Sequence, residues 1–131
     1  MGYGFTVECK ICGYVEHFNI GVGFYHCNLE RICSDLHFTL KTKVKQIIDN
    51  YPIRKHEYDR LLVSCPKCFN LTVKDYIKIH YDKRKMFESS MTCSRCKKPL
   101  LVIEESTPLE DIPCPHCHER KLNKSDELLW D

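Results

Sequence analysis

Eight of the chain's ten cysteines fall into four C-x2-C pairs: Cys9/Cys12, Cys65/Cys68, Cys93/Cys96 and Cys114/Cys117. Two thiolates two residues apart sit on a tight turn, a knuckle, whose backbone N–H groups point at sulfur. Two knuckles facing each other supply the tetrahedral four-sulfur set that Zn2+ prefers. Eight thiols paired at one fixed interval do not arise by chance, so two closed sites and two Zn2+ per chain are expected. Iron is the chemical alternative, since soft thiolates accept it too. The metal has a physical task here, because 131 residues with 43% hydrophobic content can bury only a modest core.

Disulfides are the other way to staple a small chain. The opening MGYGFTVECK has no basic segment followed by an apolar stretch, so no secretory signal is read there, and a reducing, cytoplasmic setting is expected. Apolar runs such as Leu100 to Ile103 fall far short of the roughly 20 residues of a membrane span, so no membrane association is expected. Met1-Gly2-Tyr3-Gly4-Phe5-Thr6 fits a minimal myristoylation pattern without the second, polybasic signal that stable anchoring needs, and is read as accidental.

Four knuckles can be paired in three ways. Cys93-Ser-Arg-Cys96 and Cys114-Pro-His-Cys117 are separated by 17 residues, inside the roughly 15–20 of the C-x2-C-x15–20-C-x2-C zinc pattern. Over Thr92 to Lys121 the chain therefore resembles the zinc-ribbon family. Cys9-Lys-Ile-Cys12 and Cys65-Pro-Lys-Cys68 look like a second ribbon opened by an insertion of 52 residues. Serial pairing, first with second and third with fourth, is the expected arrangement; nesting the second and third inside the first and fourth is the alternative. A cross-braced RING finger is disfavoured, because Arg60 to Ser64 holds no Cys and His ligand pair. The aromatic start, Cys9-Lys-Ile-Cys12-Gly13-Tyr14 and Gly21-Val22-Gly23 also resemble a group of small uncharacterised bacterial proteins with tandem zinc ribbons, a likeness that implies an architecture and no chemistry.

The insertion carries its own signal. Leu36, Leu40, Val44, Ile47 and Ile48 recur at the spacing of one helix face, and Asn50-Tyr51-Pro52 is a stop. The expected fold is a small α+β, metal-stabilised protein: two zinc ribbons of short antiparallel strands with one inserted amphipathic helix. Residues 1–88 would form the first ribbon, with the helix at about 34–50, and 89–122 the second. Residues 123–131 would be an acidic-aromatic tail, either a docking helix or a partner-binding segment. Strands are expected at Leu100 to Ile103 and Leu71 to Tyr81, the latter alternating with only Asp75 out of place on its apolar face.

Cys27 and Cys33 stand outside the pairs. No common zinc spacing joins them to His17, His26 or His37, so they are expected to be packed small hydrophobes. His116 and His118 are expected to be exposed beside a site already filled by thiolates. Cys114-Pro-His-Cys117 has the letters of an oxidoreductase motif, but too little chain follows it for a thioredoxin-like domain. Gly21-Val22-Gly23 lacks the third glycine of a dinucleotide fingerprint and is read as a bend.

Charge is uneven: −2 over residues 1–40, +9 over 41–98 and −5 over 99–131. Lys74, Tyr76 and Lys78 on the polar face of the expected strand, continued by Lys83, Arg84 and Lys85, are candidate nucleic-acid contacts, since cations with interleaved aromatics track phosphate and stack on bases. An ordinary solvated face would look similar. No hydrolase elbow, zincin motif or catalytic carboxylate pair appears. The expectation is a non-enzymatic zinc-binding protein acting as a protein-binding or adaptor module with an unknown protein partner. A nucleic-acid-binding protein is the alternative, and thiol redox or metal handling the third reading.

Overall fold

The computed structural model describes residues 2–22, 28–104 and 106–130, the last five of these as backbone only. Two sheets share the chain, both wholly antiparallel. One has three strands: β1 (Gly2–Cys9) lies between β2 (Val15–Ile20) and β7 (Leu122–Trp130). The other is built on a long hairpin of β3 (Ile53–Ser64) and β4 (Leu71–Tyr81), flanked by β5 (Lys85–Glu88) and the short β6 (Leu101–Val102) in the order β5-β4-β3-β6. Between β2 and β3 the described residues form two helices, α1 (Leu29–Asp35) and α2 (Phe38–Asn50). None of the described helices is long and apolar enough to cross a membrane.

β4 covers the strand expected from alternation, and its two kinds of neighbour explain why Asp75 breaks the pattern. Leu71 joins Leu62, Phe5, Val7 and Phe18 in the cluster between the sheets, whereas Ile77 and Ile79 join Val44, Ile47, Ile32 and Leu36 under the helices. Each fully buried Ile or Val of this kind contributes about 1.5–3 kcal/mol. Asp75 falls where the two clusters part, accepts a hydrogen bond from the Tyr58 hydroxyl at 2.7 Å and lies 3.9 Å from Arg60 Nε. Burial and this carboxylate together push the Tyr58 phenol well above its ordinary pKa.

The inserted helix is present and buries Val44 and Ile47, but Leu36 is not part of it. Leu36 is extended, at φ −73° and ψ 154°, and closes the additional helix α1, whose first turn is capped by Asn28 Oδ1 accepting from Glu30 N at 2.8 Å. A seven-residue helix carries too few turns for periodicity to reveal it.

The C-terminal segment is corrected more fully. It is a strand and not a docking helix: β7 pairs with β1 from Cys9↔Leu122 to Gly2↔Trp130, with a bulge between Gly4 and Thr6. Strand pairing along the second edge of β1 overrides a local sequence, Asp126-Glu127-Leu128-Leu129, with little strand preference of its own. On the other edge Gly4 leaves room for the Asn19 side chain, which any Cβ there would overlap. Gly21 adopts φ +80° as β2 ends and donates to Arg60 O at 2.9 Å, the bend expected there. Gly23 lies outside the described residues, as do His26 and Cys27.

Candidate metal centres

The eight paired cysteines come together as two groups of four, with the sulfurs of each group all within 4.8 Å of one another. An outer group holds Cys9, Cys12, Cys114 and Cys117; an inner group holds Cys65, Cys68, Cys93 and Cys96. The pairing is nested. This corrects the serial arrangement, and each group draws ligands from both sides of residue 88. Strand register is the reason. β6 follows the third knuckle and pairs Leu101 with Ser64, the residue just before the second, while β7 follows the fourth knuckle and sets Leu122 opposite Cys9 in the first. The 17-residue spacing of the last two knuckles matched a ribbon, yet they serve different groups.

Cys9 and Cys117 sulfurs are 3.6 Å apart, Cys12 and Cys114 3.6 Å, and Cys68 and Cys93 3.7 Å. A tetrahedron of Zn–S bonds about 2.3 Å long has edges of about 3.8 Å, so the cavities fit one such ion each. Cys9, Cys65, Cys93 and Cys114 are buried and their partners more open, Cys12 being exposed.

One backbone device makes all four knuckles. The first cysteine donates its N–H to the carbonyl five residues on, in the pairs Cys9/Tyr14, Cys65/Asn70, Cys93/Lys98 and Cys114/Glu119, at 2.8–3.0 Å. The residue four positions on returns an N–H to that cysteine's carbonyl, and it is left-handed every time: Gly13, Phe69, Lys97 and His118, at φ 78°, 62°, 60° and 67°. Only the first is glycine. A side chain in this region costs roughly 1–2 kcal/mol. Lys97→Gly is therefore expected to stabilise the metal-loaded protein by up to about 1 kcal/mol once the extra freedom of unfolded glycine is deducted, read as a higher urea midpoint. Lys97→Val should lower it.

The knuckle N–H groups also tune the sulfurs. Ile11 N donates to Cys9 Sγ at 3.4 Å, Lys67 N and Cys68 N donate to Cys65 Sγ at 3.4 Å, and His116 N donates to Cys114 Sγ at 3.3 Å. Donation from the Cys68 backbone, reinforced by Lys67, lowers the Cys65 thiol to about 6; the Cys12 and Ile11 backbones lower Cys9 to about 7. Cys93 is lowered in the same way, chiefly by the Cys96 backbone. Burial raises Cys96 to about 12, and burial with the neighbouring thiols carries Cys117 to about 12 against the Glu119 N–H. Three of the eight sulfurs thus lean toward the thiolate that a metal requires before any ion arrives.

The two groups are in contact through aromatic rings. Phe69 of the second knuckle packs in a tilted arrangement against His118 of the fourth, with centroids 4.9 Å apart at 55°. His116 lies 6.5 Å from Tyr14. Both histidines are exposed, as expected, and neither belongs to a metal group among the described residues. His17 approaches Thr6 Oγ1 and Asn19 Oδ1, and His37 precedes α2 with no capping bond.

Cys33 is buried in the helical cluster, its thiol 3.8 Å from Lys41 O, and joins no metal group. Cys27 lies outside the described residues. Cys27→Ala with Cys33→Ala should leave metal content at the wild-type value, read by elemental analysis against protein concentration; a fall would make one of them a ligand.

The six candidate nucleic-acid contacts do not form one strip. Lys74, Tyr76 and Lys78 share a face of β4, but strand register sets Glu57 and Glu88 on either side of Lys78 and Asp59 beside Tyr76. Lys74 Nζ donates to Thr92 O at 2.8 Å, and the Tyr76 hydroxyl donates to Glu88. Lys83, Arg84 and Lys85 lie at the far end of the hairpin, where Lys85 Nζ sits 4.5 Å from the Tyr51 ring centroid and 3.9 Å from Asp82.

No protein-family model, curated protein or solved structure matches the chain.

Proposed function

We propose that the chain is a non-enzymatic binding module in which two Zn2+ ions are structural. The observation that carries this reading is the pair of nested four-cysteine groups. Four thiolates complete a tetrahedron and leave no open position for a substrate, whereas catalytic zinc keeps one free. Thiolate softness favours zinc or iron over hard cations, and the closed geometry suits zinc. What such a module offers a partner is surface. Ile11 and Val15 beside the first knuckle and Leu101 and Val102 on β6 are exposed apolar side chains that suit a protein partner in an adaptor role. The second reading, a nucleic-acid partner, is favoured by the placement of cations at the far end of the β3–β4 hairpin. The test is native mass spectrometry with metal analysis of protein purified under reducing conditions. Two zinc per chain supports the proposal; a single ion, or iron with visible absorption, contradicts it.

A further inference from the structure

We infer that the end of the β3–β4 hairpin remote from the metal groups binds single-stranded nucleic acid, with a base received in a recess between α2 and the tyrosine pair Tyr51 and Tyr81. The inference rests on the second of the two readings and places the contact away from the β4 face.

Three contacts gather this surface. Asp82 N donates to Pro52 O at 2.9 Å, drawing the β4–β5 turn against the end of α2, and Ile53 pairs with Tyr81 in the hairpin. Tyr51 and Tyr81 rings lie 5.0 Å apart, and Lys85 caps the outer one. Beside them Lys43, Gln46, Ile47 and Asn50 complete a recess of about 540 Å³. It combines ring faces with two side-chain amides and a cation, the groups that stack on a base, hydrogen-bond its edge and hold its phosphate.

The rim is strongly positive. Arg54, Lys83, Arg84 and Lys43 are exposed and have no carboxylate within ion-pair distance among the described residues, and Lys43 Nζ lies 6.0 Å from the Phe87 ring centroid. Lys55 and Lys85 are paired with Glu57 and Asp82 at 3.5 and 3.9 Å, and Asp49 on α2 is the other carboxylate nearby. The β4 face differs, since Glu57, Asp59 and Glu88 offset its cations there. Stacking groups beside a rim where cations outnumber carboxylates select a flexible, base-exposing polyanion over a duplex, whose bases are hidden.

The experiment uses the full, zinc-loaded chain with fluorescein-labelled oligouridine, its duplex with oligoadenosine, and polyglutamate as competitor. Wild type should bind the single strand in preference to the duplex, and binding should weaken with salt. Reversing Arg54, Lys83 and Arg84 to Glu should reduce affinity more than tenfold and flatten the logarithmic salt slope by about 2, at about 0.7 released counterion per phosphate. Tyr51→Ala should weaken binding about tenfold with the slope unchanged, since stacking carries no counterion. Lys98→Glu with Arg120→Glu, at the opposite end, should change little. Absence of binding, equal binding of duplex, survival of binding in the triple variant, or polyglutamate competing as well as oligouridine would each overturn the inference, the last in favour of an acidic protein segment. Zinc content is measured on every variant, so a failure of the two-zinc reading is visible separately from a failure of this surface.

Discussion

Cys65→Ser should strip the chain of both metal ions, whereas Cys117→Ser should strip it of one. The asymmetry follows from nesting. The inner group closes on a short stretch, with Cys68 and Cys93 25 positions apart, and its Cys65/Cys68 knuckle is itself the turn of the β3–β4 hairpin. The outer group joins Cys12 and Cys114, 102 positions apart. Two doublings of loop length cost only about 1.2 kcal/mol in closure entropy, so length alone does not decide the order. Packing does. The outer knuckles hang on the β1–β2–β7 sheet, whose Phe5, Val7, Phe18 and Leu122 are buried in one cluster with Leu62 and Leu71 of the hairpin sheet and with Ile103, just past β6. Loss of the inner group removes that platform and the Phe69–His118 contact together. Loss of the outer group leaves the hairpin, the helices and their own cluster in place. Native mass spectra would show zero bound zinc in the first variant and one in the second; one ion in both would mean that the two halves fold independently.

Removal of metal by a chelator under reducing conditions should unfold the protein, and two equivalents of Zn2+ should restore it. Structural zinc of this type contributes on the order of 10–16 kcal/mol of apparent binding free energy near neutral pH, and a small domain has about 5–15 kcal/mol of stability in all. Without the ion each group also leaves four cysteine sulfurs crowded within 4.8 Å, and in the inner group Cys65 and Cys93, both lowered toward thiolate, repel one another. The β1–β2–β7 sheet should lose order first, because its buried face packs on the hairpin sheet, which the inner group holds. Amide NMR dispersion reports this directly. Native dispersion persisting in excess chelator would show that the apolar clusters suffice, and zinc would lose its structural role.

The knuckles were legible because each is a local object: C-x2-C fixes one turn and its two sulfurs. The strand Leu71–Tyr81 was legible to its ends because alternation over eleven residues outweighs the single Asp75, and α2 because Leu40, Val44, Ile47 and Ile48 repeat along one stripe. Partner choice among the knuckles was not legible. It depends on which distant strands share a register, Leu101 with Ser64 and Leu122 with Cys9, and the spacing of the last two knuckles pointed elsewhere. β7 was hidden because Asp126 and Glu127 argue against a strand and only pairing with β1 makes one. The left-handed Phe69, Lys97 and His118 were hidden for a related reason. Local preference assigns that conformation to glycine, present only at Gly13, whereas the knuckle imposes it on whatever residue stands fourth. The cations were visible as a charge total, but the sequence does not show that strand register sets Glu57 and Glu88 beside Lys78 while Arg54, Lys83 and Arg84 have no carboxylate partner among the described residues.

Heteronuclear NMR of the cadmium-substituted protein tests the nested pairing most directly, because coupling between each metal and the β-protons of its cysteines identifies the four residues that share an ion. Two cadmium signals are expected, one coupled to Cys9, Cys12, Cys114 and Cys117 and the other to Cys65, Cys68, Cys93 and Cys96. Coupling of one ion to Cys9, Cys12, Cys65 and Cys68 together would contradict the account.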